Sequence, residues 1–154
     1  MCNDKHTDKT NFQEDKWHYW LAVCLFNKEL YKEAQEELEK VQELKKDIEG
    51  WNLSIRILNI ACSINLDLDQ KSDRQIQALK RHYNRKPNIQ VRLKTILSIL
   101  LSLEGSFNFK DVYKIHQEEF EKLSGLKGWY KWNVKTPELF LFDQWFIAKM
   151  NEKE

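Results

Sequence analysis

Turn-forming residues are scarce in this chain, with four glycines and two prolines among 154 residues. A sandwich or barrel needs a turn signal roughly every 8–12 residues, so a many-stranded fold is excluded. Long runs of Glu, Lys, Leu and Gln favour helix instead, and the fold class expected is all-α. No run of 18 consecutive apolar residues exists, so no membrane span and no membrane partner are expected. The leading stretch MCNDKHTDKTNF lacks the apolar core of a signal peptide. A cytoplasmic location is the expectation, the alternative being a piece of a longer protein that has lost its targeting segment.

Charge of one sign is also lacking: the net charge is +1, so no global field selects a nucleic acid or an anionic surface. The three cysteines, Cys2, Cys24 and Cys62, are odd in number and widely spaced, which argues against a disulfide framework. Cys24 and Cys62 fall in apolar helical segments, where cysteine acts as a small core residue. No paired Cys or Cys/His spacing suits zinc. His6, His18, His82 and His116 are far apart, and His116-Gln-Glu-Glu has no second histidine four residues on. No nucleophile–base–orienter set or Gly-rich phosphate loop stands out. Neither catalytic nor metal residues, nor a cofactor, are therefore expected.

What is present is helical periodicity. From Trp17 to Val41, WHYWLAVCLFNKELYKEAQEELEKV, two antiparallel helices meet near Lys28–Leu30. Leu21, Ala22 and Leu25 form an apolar stripe on the first; Tyr31, Ala34, Leu38 and Val41 form one on the second. Small Ala22 and Ala34 would let the two backbones approach closely. Glu33, Glu36, Glu37, Glu39, Lys40 and Glu43 surround the second stripe, as a solvated face stiffened by pairs such as Glu36–Lys40 or as an acidic docking face. The spacing from Leu-Ala-x-x-Leu through Tyr-x-x-Ala to Leu resembles a tetratricopeptide repeat, although Lys45 and Lys46 stand where its usual proline falls.

Further on, Leu21-Ala22-x-x-Leu25 aligns with Ile60-Ala61-x-x-Ile64 and Leu97-Ser98-x-x-Leu101, recurring after 39 and then 37 residues. The expected organisation is a lead without structure over 1–12 and a single helical repeat domain over 13–150. Its hairpins cover about 13–46, 51–84 and 89–124, and a capping helix covers about 137–150. The helix from Trp51 is apolar on many sides and is expected to be central. Ser72, with Gln75 three residues on, reads as the cap of a helix over 73–84 that carries Ile76, Leu79 and Tyr83. Asn108 reads as the cap of a helix over 109–123 that carries Val112, Ile115, Phe120 and Leu123. Thr136-Pro137-Glu138 opens the last helix, which carries Leu139, Phe142, Phe146 and Met150. The resemblance is good for residues 17–46, weaker to residue 124 and absent beyond. It implies a right-handed α-solenoid, a stack of about three hairpins whose concave groove binds a protein or peptide. The groove candidates, one turn away from the packing stripe, are His18, Tyr19, Phe26, Asn65, Lys94 and Ser102.

Two other features carry alternatives. Lys80, Arg81, Arg85, Lys86, Arg92 and Lys94 place six cations within fifteen residues with no carboxylate among them. Such a basic patch, with Tyr83 for stacking, suits a nucleic-acid backbone, an acidic protein, or only a solvated helix end. Trp129, Tyr130 and Trp132, with Phe140, Phe142, Trp145 and Phe146, form a dense aromatic group, read as a cap that closes a repeat stack or as a carbohydrate or proline-rich-segment site. The function expected is a non-catalytic protein-interaction or scaffolding module. The alternatives are nucleic-acid binding and the helical support of a larger protein whose activity lies upstream. In that last case Trp17 and Trp20 are expected on an exposed apolar surface.

Overall fold

The computed structural model describes residues 4–43, 50–83, 91–124 and 141–152, with the side chains described from residue 13 onward. Among the described residues every regular element is a helix: α1 (Asp4–Asn27), α2 (Tyr31–Glu39), α3 (Trp51–Asn65), α4 (Asp69–Tyr83), α5 (Val91–Ser102), α6 (Phe109–Ile115), α7 (Gln117–Ser124) and α8 (Phe142–Met150). The chain divides into two compact units, Met1–Leu68 and Asp69–Glu154. The division falls inside the stretch expected to be the second hairpin of a single domain.

In the first unit, α1 starts at Asp4, inside the polar stretch expected to lack structure. No glycine or proline precedes Gly50, so nothing interrupts the helix formers there. The helix ends in a tight reversal. Glu29 takes a left-handed φ of 62°, the Leu30 amide reaches the Leu25 carbonyl and the Glu29 amide reaches that of Phe26. This closure caps the orphan carbonyls without a glycine and sends α2 back along α1. Helix α2 stops at Glu39, short of the expected residue 46, and the Gln42 amide then turns to the Asp15 carboxylate at 3.4 Å. Ala22 and Ala34 are fully buried, as close contact between the two backbones demands.

Helix α3 is buried on most sides, from Trp51 through Leu53, Leu58 and Ala61 to Ile64. Its register against α2 is set by a neutral polar cluster in which the Gln35 amide donates to Asn59 Oδ1 at 2.9 Å and to Ser63 Oγ at 2.7 Å. A buried amide needs such partners, because an unpaired one costs about 1–3 kcal/mol. The end of α3 repeats the closure of α1, with Asp67 at φ 56° and the Leu68 amide on the Ser63 carbonyl.

In the second unit, α4 begins at Asp69, so Ser72 lies inside it, buried, rather than capping it. Ile76, Leu79 and Tyr83 form its buried stripe, as expected. Asn108 does cap α6, accepting from the Asp111 amide. The single helix expected over 109–123 is broken at His116, whose φ of −103° separates α6 from α7. That break keeps Val112, Phe120 and Leu123 inside but leaves Ile115 73% exposed. Helix α8 brings Phe142 and Phe146 into the core, where Phe146 meets Phe109 and Phe120, each with ring centres 4.8 Å apart. Across this core Arg92 of α5 donates to the Leu123 carbonyl at 2.7 Å and pairs with Asp143 of α8 at 3.5 Å. Residues 44–49, 84–90 and 125–140 lie outside the described residues. With them lie Arg85, Lys86, the Thr136-Pro137-Glu138 start, Trp129, Tyr130, Trp132, Leu139 and Phe140.

Candidate interaction face

Helix α1 carries two apolar stripes at the same spacing. Tyr19, Ala22, Val23 and Phe26 are buried, whereas Trp17, Trp20 and Leu21 are 68%, 49% and 45% exposed and Cys24 is exposed with them. At 3.6 residues per turn the stripes lie on opposite sides of the helix. The packing face expected from Leu21, Ala22 and Leu25 is therefore rotated: Leu21 points outward, Leu25 is half-buried and Ala22 alone faces the core. Tyr19 and Phe26, expected in a groove, are core residues. Tyr19 meets the Trp51 ring edge-on at 5.8 Å, and Phe26 meets Tyr31 at 5.2 Å. Cys24, expected in the core, goes outward with the second stripe.

The outer stripe is continuous. Trp17 and Trp20 touch edge to face, ring centres 6.0 Å apart, and Leu21 and Cys24 extend the row by steps of one and three residues. Single exposed apolar side chains are ordinary, but a contiguous row led by two indoles is the kind of surface that binds something. Beside it His18 is half-buried, its Nδ1 2.8 Å from Glu37 of α2, and Glu37 also accepts from Lys40 at 2.7 Å. The Lys40 ammonium, then His18, hold the Glu37 carboxyl below its ordinary value of 4.5. Lys16 lies over the Trp51 ring at 5.1 Å. A cavity of about 10 Å³ bordered by Asp15, Lys16, Trp51 and Asn52 has room for one water and for no larger ligand.

The other expected site residues fall elsewhere. Asn65 is half-buried and its amide bonds back to the Ala61 carbonyl at 2.9 Å, while Lys94 is exposed on α5. Of the basic patch, Lys80 and Arg81 are exposed in the last turn of α4, where cations suit the helix dipole. Arg92 is a correction, being 4% exposed and committed to Asp143 and Leu123. A guanidinium so buried needs its carboxylate and offers nothing to a phosphate.

Ser102, His116 and Glu119 form an unforeseen line. Ser102 Oγ is 2.6 Å from His116 Nε2, and Glu119 lies 3.5 Å from His116 Nδ1. The order is that of nucleophile, base and acid. The Ser102 hydroxyl also lies 3.2 Å from the Ser98 carbonyl, so its single proton is shared between two acceptor positions, that carbonyl and His116 Nε2. His116 Nδ1 is buried and makes no hydrogen bond, Glu119 standing at ion-pair distance only. Ser102 also closes the carbonyl end of α5, which disfavours a developing oxyanion. The trio ties α5 to the break between α6 and α7.

Among the described residues no group of three or more His, Cys, Asp and Glu stands together as a metal site, and no helix is long and apolar enough to cross a membrane. Compared with protein-family models, curated proteins and solved structures, the chain matches none.

Proposed function

We propose that this chain is a non-catalytic protein-interaction module of tetratricopeptide-like helical-repeat type, and that the outer face of α1 is where its protein partner binds. The observation that carries the reading is the exposed row Trp17, Trp20, Leu21 and Cys24 on a helix whose opposite side is fully packed; the same exposure of Trp17 and Trp20 favours the second reading, this chain as the helical support of a larger protein. Indoles on a rigid helix lose little conformational freedom on binding and bury much area, which is why Trp dominates binding hot spots. The arrangement of the hairpins into a right-handed solenoid capped by α8 belongs to the same proposal. It is supported by the close α1–α2 contact at Ala22 and Ala34 and by the burial of Ala61 at the aligned position of α3. Ser98, the third member of that register, is exposed, so the repeat weakens along the chain as its sequence does.

The test compares the wild-type chain with Trp17→Ser/Trp20→Ser in a pull-down washed at high salt, which strips ionic contacts and spares apolar ones. The double variant is expected to keep its unfolding free energy within about 0.5 kcal/mol, as surface substitutions do, and to lose the protein captured by the wild type. Equal capture by both chains would move the site off α1. A large loss of stability would make the indoles part of the fold.

A further inference from the structure

We infer that the partner of the α1 outer face is a second copy of this chain, the two α1 helices pairing antiparallel about a twofold axis that passes between Trp20 and Leu21. This rests on the reading of that face as a protein-binding surface. The positions 17, 20, 21 and 24 are symmetric about the midpoint of 20 and 21, as any stripe of these steps is, so an antiparallel copy can lay the row upon itself. An isologous twofold contact demands a surface complementary to itself. With a helical rise of 1.5 Å per residue, Trp17 of one copy stands level with Cys24 of the other, large against small. Trp20 meets its own symmetry mate on one side of the axis and Leu21 meets its mate on the other.

The charges at the ends of the row choose the direction. Glu14 precedes Trp17 by three residues, Lys28 follows Cys24 by four, and both are exposed. At 3.6 residues per turn they flank the same edge of the row. In the antiparallel pair Glu14 of each copy falls within about 1.5 Å, along the axis, of the level of Lys28 in the other, which places two opposite-charge contacts at the rim. A parallel pair would hold Glu14 and Lys28 about 21 Å apart along the axis, without that contact, and would stack Trp17 on Trp17. It would also bring the two Cys24 residues together. The antiparallel pair holds them about 10 Å apart along the axis, beyond the reach of a disulfide.

Sedimentation equilibrium of the full chain in reducing buffer, with Trp20→Glu as the control, reads the state directly. A dimer is expected for the wild type and a monomer for Trp20→Glu, whose unfolding should match that of the wild type once the latter is diluted to monomer. Glu14→Lys or Lys28→Glu alone should weaken the dimer roughly tenfold, from the loss of two rim pairs and the like charges put in their place, and the double exchange should restore it. Restoration is the outcome a nonspecific apolar association cannot produce. In a Cys2→Ser background, Trp17→Cys should form a covalent dimer under mild oxidant while the parent does not; a parent that crosslinks through Cys24 would mean parallel pairing and would overturn the geometry. A wild-type chain that stays monomeric at about 100 µM overturns the inference, since it sets Kd well above that of ordinary specific association. If that monomer still captures a different protein, or binds lipid vesicles, through Trp17 and Trp20, the self-pairing fails while the face remains a binding surface. If it captures nothing, both readings fail together.

Discussion

The two units of this chain bury polar groups in opposite ways. In the first, Gln35 of α2 enters the core as a neutral amide and is met by Asn59 and Ser63 of α3. In the second, α5 sends in a charge, Arg92, answered by Asp143 of α8 and the Leu123 carbonyl. The elements explain the difference. Helix α2, itself nine residues long, is joined to the 24-residue α1 by a tight closure and held to the 15-residue α3 by this register pin. Helices α6, α7 and α8 are seven, eight and nine residues long, too short to hold their places alone. A guanidinium that reaches both the end of α7 and the start of α8 fixes two short helices at once, while Phe109, Phe120, Phe142 and Phe146 fill the space between them.

Removing one member of each device separates the two cases. Arg92→Ala should cost the most, about 3–5 kcal/mol in urea unfolding, because Asp143 is left buried without its cation. Replacing both, Arg92→Met with Asp143→Leu, should recover most of that loss, since a buried ion pair and a well-packed apolar pair are near equals in energy. A single variant that unfolds no more easily than the wild type would mean that Asp143 finds water, and the contrast between the units would collapse.

Gln35→Ala comes next, at about 1–3 kcal/mol. Here no charge is stranded: Ser63 Oγ keeps the Asn59 carbonyl at 3.3 Å, and Asn59 is only half-buried. The expected loss is therefore below that of Arg92→Ala. Amide hydrogen exchange would locate it, with α2 and α3 opening together while the α5–α8 core keeps its protection.

How much of this was legible beforehand follows from which residue types were involved. The helices, the α1–α2 turn, the Asn108 cap and the stripe Ile76, Leu79, Tyr83 depend on local spacing, and the sequence carries them. The face of α1 does not, because two apolar stripes with identical steps stand on opposite sides of it and periodicity alone cannot say which turns inward. A signal was there in the aromatic content of the positions, and both rows contain it: Tyr19 and Phe26 on one, Trp17 and Trp20 on the other. What decides is the partner, Trp51 and Tyr31 receiving the first pair, and that is a tertiary fact. Arg92 misled for a similar reason. Beside Lys94 it reads as one more surface cation, and its carboxylate lies 51 residues along the chain, in α8.

The smallest expected effect sits at the edge of the α1 face and depends on pH. The Lys40 ammonium, then His18, depress the Glu37 carboxyl below 4.5 in the folded chain. A depressed carboxylate contributes stability that is present in full above its unfolded value and is lost as pH falls through the lower folded value. The pair is largely solvated on the Lys40 side, which is 55% exposed, so the contribution is of the small size that surface pairs show and shrinks further in salt. Glu37→Gln should therefore unfold slightly more easily than the wild type at about pH 6, and the two curves should converge once pH drops well below the ordinary carboxylate range. A gap that persists in strong acid would assign the effect to the shape of the side chain and not to its charge. A gap that widens would reverse the sign and place Glu37 among groups that folding makes harder to ionise.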